Sequence, residues 1–112
     1  MEAFATYERQ EAFVPADVAS AAIERGVEGV LLPREALPAS FFDLKTGIAG
    51  ELAQRAVQYY LCLAFVVPDR DAQSDHFRAF AREANRGNRF RFFGTRTAAV
   101  SWLESVEDAS DR

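Results

Sequence analysis

The stretch LCLAFVV, Leu61 to Val67, decides the fold that the sequence predicts. Its side chains do not alternate between apolar and polar, as they do in a strand with one face in water. A continuous apolar run that ends in a polar loop, here PDRDAQSD, is typical of a strand covered on both faces, as in a parallel sheet. We therefore expect Leu61 to Val67 to be a central strand of a layered α/β domain.

The segments on its amino-terminal side alternate between strand and helix patterns. Ala3 to Tyr7 predicts a short strand, and Gly29 to Leu32 predicts a second strand. Between them, residues Pro15 to Arg25 predict a helix, because proline suits the first helical position. Gly26 suits the position just past the end of that helix. This half of the chain therefore predicts the order β-α-β.

The second predicted helix has the clearest amphipathic pattern and starts around Asp43 to Thr46. Its apolar residues recur near the 3.6-residue period at Leu44, Ile48, Leu52 and Tyr59. Gly47 and Gly50 then lie inside the helix, where each costs about 1 kcal/mol relative to alanine. We expect close backbone packing, or a functional site at the helix start, to compensate for that cost.

The carboxyl-terminal half predicts two further helices and one strand. Ser74 suits the cap of a helix whose inner face is formed by Phe77, Phe80, Ala81 and Ala84. Arg89 to Phe92 alternates like a strand at a sheet edge, and a last helix follows from about Arg96 to Val106. The alternating order predicts a single α/β domain over residues 1–112, with residues 107–112 as a frayed tail. Its architecture should be a small, mostly parallel four-stranded sheet flanked by four helices.

Composition excludes several classes of protein. Cys62 and His76 are the only cysteine and histidine, which excludes an intrachain disulfide and metal sites rich in either residue. The longest apolar run, Tyr59 to Val67, is far shorter than the roughly 20 residues that cross a bilayer. The amino terminus lacks the basic and apolar regions of a secretory signal. We expect a soluble cytoplasmic protein that binds no membrane.

The charges argue against nucleic-acid binding. The net charge is -4, and Lys45 is the only lysine among 13 basic residues. The arginines Arg78, Arg82 and Arg86 recur at i,i+4 intervals on one predicted helix face, where like charges repel. We expect Asp75, Glu83 and acids of neighbouring elements to offset this repulsion, so the face should be solvated or ion-paired.

Motifs for catalysis and cofactor binding are not found. The sequence contains neither a GxxxxGK[ST] loop nor a GxGxxG turn. Ser74, Asp75 and His76 are adjacent, but a catalytic triad requires a spatial arrangement, so we interpret them as a cap, a dipole partner and an exposed ring. Cys62 lies in an apolar strand, where it should fill space rather than react. We therefore expect no enzyme activity, no cofactor and no metal.

Three segments resemble a family of small bacterial proteins known as a domain of unknown function. FFDLKTGIAGELAQ, Phe41 to Gln54, is similar to the FFDLKTGxAGE signature of that family. AREANRG, Ala81 to Gly87, resembles its second block, and Trp102 with Leu103 resembles its carboxyl-terminal Trp-Leu pair. The resemblance covers about residues 17–106 and implies a fold but no activity.

The layout also resembles the SpoIIAA-like superfamily, which includes the STAS domains. Regulatory members carry Asp-Ser-(Ser/Thr)-Gly-hydrophobic at a helix start, and a partner kinase phosphorylates the Ser or Thr before the glycine. DLKTGI, Asp43 to Ile48, occupies the corresponding place, with Lys45 where a small residue is expected and one extra residue after Asp43. The resemblance implies a SpoIIAA-like fold, a phosphorylation site at Thr46 and a protein partner, either a kinase or a second copy of the chain.

Two functions of different classes follow. The first is a non-enzymatic regulatory or protein-interaction module, whose contact surface is formed by Asp43, Lys45, Thr46 and Gly47. A helix start there would also stabilise a phosphate through its dipole and free N–H groups. The alternative is a protein that binds a small ligand or an anion in a crevice at the carboxyl ends of the strands. The residues expected to line that crevice are Arg34, Asp69, Arg70 and Arg96.

Overall fold

A parallel sheet and four α-helices make up the described part of the chain. The structure is a computed structural model that describes residues 4–8 and 11–110, with side chains described up to residue 106. The strands are β1 (Phe4–Thr6), β2 (Gly29–Leu32), β3 (Cys62–Val66) and β4 (Phe90–Phe93). The helices are α1 (Pro15–Arg25), α2 (Ile48–Gln58), α3 (Asp75–Ala84) and α4 (Arg96–Ser110). Short 3-10 turns cover Arg34–Ala36, Ala39–Phe42, Leu44–Thr46 and Arg70–Ala72.

The sheet has the strand order β1-β2-β3-β4, and each neighbouring pair is parallel. β3 lies between β2 and β4, with Ala64 opposite Leu31 on one side and Arg91 on the other. Every residue of β3 is buried, as expected for a strand covered on both faces. The prediction of a central strand in a parallel sheet is confirmed. The edge position of β4 is confirmed as well, with Phe90 and Phe92 buried.

The helices are divided unequally between the two faces of the sheet. α1, α2 and α3 each cross from one strand to the next in the same direction, and right-handed crossovers in that order put them on one face. The core on this face includes Val18, Leu52 and Phe77. α4 follows the last strand and is free of that constraint. It covers the opposite face, where Leu103 packs with Leu31.

Several helix ends lie where the sequence predicts them. α1 runs from Pro15 to Arg25, and Gly26 ends it with a φ of 67°. That left-handed conformation carries little cost for glycine because it has no Cβ. At α3 the Ser74 Oγ accepts a hydrogen bond from the Phe77 N–H at 3.2 Å, so the predicted cap is confirmed.

The start of α2 differs from the prediction. Residues Leu44–Thr46 form a 3-10 turn, and α2 begins only at Ile48. Gly47 adopts a φ of 79°, which a residue inside an α-helix cannot have, so it separates the turn from the helix. Asp43 therefore caps the 3-10 turn, by accepting from the Lys45 N–H at 3.1 Å, and does not cap α2.

Both ends of the chain also differ in detail from the predicted boundaries. α4 continues to Ser110, beyond the predicted end at Val106. Residues 111–112 of the expected frayed tail and Ala3 of the expected first strand lie outside the described residues. Tyr59, which the periodicity places on the inner face of α2, follows the helix and is 42% exposed.

Candidate functional site

Two adjacent phenylalanines anchor the loop that joins β2 to α2. Phe41 is fully buried, and its ring stacks on Phe65 of β3 with the centroids 5.2 Å apart. It also lies edge-on to Phe77 of α3 at 5.8 Å. Phe42 packs against the same Phe77 ring at 5.0 Å. The sheet and α3 therefore hold this loop in one position at the carboxyl edge of the sheet.

Two of the residues predicted for the carboxyl-edge crevice form an ion pair. Arg34 follows β2 and Asp69 follows β3, and parallel strands bring their carboxyl ends to the same edge. The Arg34 Nε donates to the Asp69 Oδ1 at 2.9 Å, and the Arg34 Nη2 donates to Oδ2 at 3.2 Å. This is the two-pronged geometry that arginine forms with carboxylates. The guanidinium carbon also lies 4.4 Å from the centroid of the Phe42 ring.

The charge of Asp69 is stabilised by its neighbours. The hydrogen bond from Arg34 is the main reason that the pKa of the Asp69 carboxyl is lowered from 3.8, and partial burial opposes the shift. The Gln73 Nε2 donates to the same carboxylate at 3.1 Å. The other two predicted crevice residues, Arg70 and Arg96, make no side-chain hydrogen bond or ion pair within the described part of the chain. The structure thus joins Arg34 to Asp69 and leaves Arg70 and Arg96 separate.

The Thr46 side chain closes the turn before α2. Thr46 is exposed, yet its Oγ1 lies 2.7 Å from the Ser40 carbonyl oxygen and 2.8 Å from that of Asp43. The single hydroxyl proton is shared between these two acceptors. The same Oγ1 accepts from the Ile48 N–H at 3.4 Å. The hydroxyl therefore holds the loop carbonyls together while the residue stays in contact with solvent.

A groove separates this turn from the start of α3. Its volume is about 520 Å³, and it is lined by Phe42, Asp43, Leu44, Lys45, Ser74 and His76. Two of the predicted interaction residues, Asp43 and Lys45, lie in the lining, whereas Thr46 and Gly47 do not. Ser74 and His76 are additions that the sequence analysis missed. Their position after β3 is the signal that could have placed them at the same edge as the loop after β2.

The polar residues at the start of α3 have structural partners. The Ser74 hydroxyl accepts from the helix backbone, and the Asp75 carboxylate is hydrogen-bonded to Arg78. Arg86 pairs with Glu83 at 3.4 Å, so two of the three arginines on this face are ion-paired, whereas Arg82 has no ion pair within the described residues. Within the described residues, no group of three or more His, Cys, Asp and Glu side chains could hold a metal ion. No helix of the described chain has both the length and the apolar character needed to cross a membrane.

Comparison with known proteins identifies a family. Comparison with curated proteins and with solved structures found no match. A family model described as domain of unknown function (DUF4180) matches residues 7–103. The matched range contains all of α1, α2 and α3, the loop anchored by Phe41 and the groove beside it. Because the model covers most of the sequence, the chain belongs to the DUF4180 family of domains of unknown function.

Proposed function

We propose that the chain is a non-enzymatic regulatory module of STAS-like type that binds a segment of a partner protein in the groove at the carboxyl edge. The observation that carries the proposal is the groove itself, which combines an apolar lining with one charged group of each sign. Phe42 and Leu44 supply the apolar lining, and Asp43 and Lys45 supply the charges. An apolar side chain of a bound segment would fit between Phe42 and Leu44, and an acidic residue next to it would pair with Lys45.

Preorganisation of this surface supports the proposal. Phe41 is buried beneath the loop, and the Thr46 hydroxyl bonds fix the turn above it. A loop that is already ordered loses little conformational entropy when it binds a partner, so more of the contact energy remains as affinity.

Thr46 is the proposed regulatory residue. A phosphoryl group on its Oγ1 would remove the proton that the Ser40 and Asp43 carbonyls share. Its negative oxygens would then lie beside two carbonyl oxygens and repel them. Phosphorylation by a kinase would therefore open the turn and reshape the groove, so that binding of the partner would be switched by a change in loop geometry.

The small-ligand alternative at this edge has less support. An anion bound there would need a free guanidinium, and Arg34 already binds the Asp69 carboxylate through two of its nitrogens. The anion would have to displace that carboxylate or use Arg70 and Arg96, which no contact brings to Arg34.

A phage-displayed library of linear peptides tests the interaction surface. We expect selected peptides to share an apolar residue beside an acidic one. Lys45→Glu reverses the charge and Leu44→Ser removes the apolar contact, so each variant should bind the selected peptides at least tenfold more weakly. Arg82→Glu, the same charge reversal on the exposed part of α3, is the matched control and should leave binding unchanged. Peptides that bind the Lys45→Glu variant as tightly as the unchanged protein would contradict the proposed surface.

The regulatory step has a separate test. Thr46→Glu should weaken peptide binding and alter the backbone amide signals of residues 40–48, whereas the rest of the spectrum should stay unchanged. Phosphorylation itself is checked by mass spectrometry of the protein isolated from its own host. A Thr46→Glu variant with unaltered loop signals and unaltered peptide affinity would refute the switch while leaving the interaction surface standing.

A further inference from the structure

A larger cavity lies at the opposite, amino-terminal edge of the sheet. Its volume is about 920 Å³, and its lining includes Glu28, Tyr60, Cys62, Asn88, Arg89 and Trp102. Residues just before β2, β3 and β4 form one side, and α4 supplies Trp102 from the other. This volume lies within the range of about 300–1,000 Å³ that is usual for small-molecule sites.

Tyr60, on the rim of this cavity, has an unfavourable backbone conformation. Its φ is 57°, and it is the only non-glycine residue with a positive φ in the described chain. Left-handed backbone is costly for a residue with a Cβ. Tyr60 is 69% exposed, so burial of the residue does not offset this cost.

α1 ends in the same way but with a glycine. The Val27 N–H donates to the Ala22 carbonyl oxygen at 3.1 Å, and the residue before it, Gly26, has a φ of 67°. After α2 the Leu61 N–H donates to the Ala56 carbonyl oxygen at 2.8 Å, with Tyr60 in the equivalent position. Glycine is the usual residue at this position of a helix end. The helix end would therefore accept glycine here, and it does not by itself account for a tyrosine.

Arg89 provides a cation in the same cavity. Its guanidinium carbon lies 5.7 Å from the centroid of the Tyr60 ring, and its Nη1 lies 3.9 Å from the Cys62 Sγ. Arg34, Arg55, Arg78 and Arg86 each form a salt bridge with a carboxylate. Within the described residues Arg89 forms none. Its Nη1 donates to the Cys62 Sγ, so its Nε and Nη2 are the donors available to a carboxylate from outside the chain.

We propose that this cavity binds a small aromatic carboxylate, with its ring against Tyr60 and Trp102 and its carboxylate on the Arg89 guanidinium. Arginine matches the planar, two-oxygen geometry of a carboxylate. Aromatic side chains attract another ring through stacked or edge-on contacts. The site lies at the other end of the strands from the groove, so the result of a binding test at this site does not bear on the proposed interaction surface.

The single tryptophan of the chain reports on binding. Trp102 lines the cavity, and its indole N–H gives one isolated signal in an amide correlation spectrum. The probes are benzoate, indole-3-acetate and 2-naphthoate, and 2-naphthamide is the neutral control of the same shape. We expect a saturable shift of the indole signal with at least one carboxylate, and at least tenfold weaker binding of the amide.

Variants separate binding from folding. Arg89→Gln should weaken binding of the carboxylate at least tenfold, whereas Arg82→Gln, at an exposed arginine of α3 that does not line the cavity, should change it by less than twofold. Tyr60→Gly should weaken binding and raise the midpoint of thermal unfolding, because it removes the ring and relieves the backbone. Tyr60→Asn, which tolerates the same conformation, serves as the second variant.

Three outcomes would overturn the proposal. The first is the absence of a saturable indole shift with all three carboxylates. The second is affinity that does not depend on the carboxylate contact, seen as equal affinity for 2-naphthoate and 2-naphthamide or as affinity unchanged by Arg89→Gln. The third is a lower unfolding midpoint in both Tyr60 variants, since this would show that the ring is held for stability and not for a ligand.

Discussion

The ion pair between Arg34 and Asp69 gives a quantitative test of how the carboxyl edge is held together. The side chains are 39% and 43% exposed, so solvent screens their attraction. Exposed pairs stabilise a protein by about 0.2–1 kcal/mol, and the two-pronged geometry places this pair near the upper end. The guanidinium over the Phe42 ring adds about 0.5–1 kcal/mol.

A double-mutant cycle separates these contributions. Arg34→Met should lower the free energy of unfolding by about 1.5–2 kcal/mol, because it loses both the ion pair and the contact with the ring. Asp69→Asn should cost about 1 kcal/mol, and the coupling energy between the two positions should also be about 1 kcal/mol. Arg34→Lys keeps the charge but loses the two-pronged geometry, so most of the coupling energy should disappear.

The assay is urea denaturation of the four proteins of the cycle, at about pH 7 and again at about pH 2. Because the pKa of Asp69 is lowered from 3.8 in the folded protein, the pair stabilises the fold above pH 3.8. That stabilisation is lost as the pH falls through the lower, folded-state value. A coupling energy below about 0.3 kcal/mol at pH 7, or one that persists in acid, would refute this account of the edge.

Three further predictions concern the core. Phe41→Ala should lower the free energy of unfolding by about 3–5 kcal/mol in urea denaturation, and Phe80→Ala, at a half-buried ring, should cost clearly less. Burial, and then the Asp17 carboxylate, raise the pKa of Tyr7 above 10.0, so stability should fall as the pH rises beyond about 10. Tyr7→Phe should reduce that alkaline loss and cost little at neutral pH, because the described residues provide the hydroxyl no hydrogen-bond partner. Burial raises the pKa of the Cys62 thiol, although Arg89 opposes the shift, so a maleimide should modify Cys62 no faster than the protein unfolds. Fast modification of the folded protein would contradict its buried position.

Local sequence chemistry was sufficient to predict most of the elements. Pro15 and Gly26 mark the two ends of α1, because one fixes φ and the other accepts a positive φ. The unbroken apolar run of β3 indicates a central strand of a parallel sheet, and Ser74 indicates the cap of α3. Each of these signals depends on one residue or one short run and needs no knowledge of distant contacts.

The start of α2 shows the limit of such signals. The apolar period passes through Leu44 and Ile48 without interruption, so the pattern predicts one helix across Gly47. The apolar periodicity is the same whether Gly47 lies inside the helix or precedes the helix with a positive φ. Only the packed position of the loop, set by Phe41, selects the second conformation.

The two cavities depend on contacts that are distant in sequence. Because the carboxyl ends of parallel strands meet at one edge of the sheet, the sequence places Arg34 and Asp69 at that edge. Whether the two side chains pair, and whether His76 lies near Lys45, depends on the paths of two loops. The amino-edge cavity was missed because Tyr60 and Arg89 meet only through strand order. A tyrosine at the end of α2, where α1 has glycine, is the local signal that could have indicated it.

The unequal cover of the sheet has a consequence for biosynthesis. A ribosome releases a chain from its amino end, so the strands are completed in their spatial order, each beside the last. α1, α2 and α3 cover one face as they emerge, but the face that carries Leu31, Ala64 and Val66 stays bare until α4 is made. A stalled or truncated chain without α4 would expose one apolar face of the parallel sheet. Chaperones would bind such a face, and chains that expose it would aggregate. A chain that terminates within α4 should therefore behave as a misfolded protein in the cell, even though all four strands of the sheet have been made.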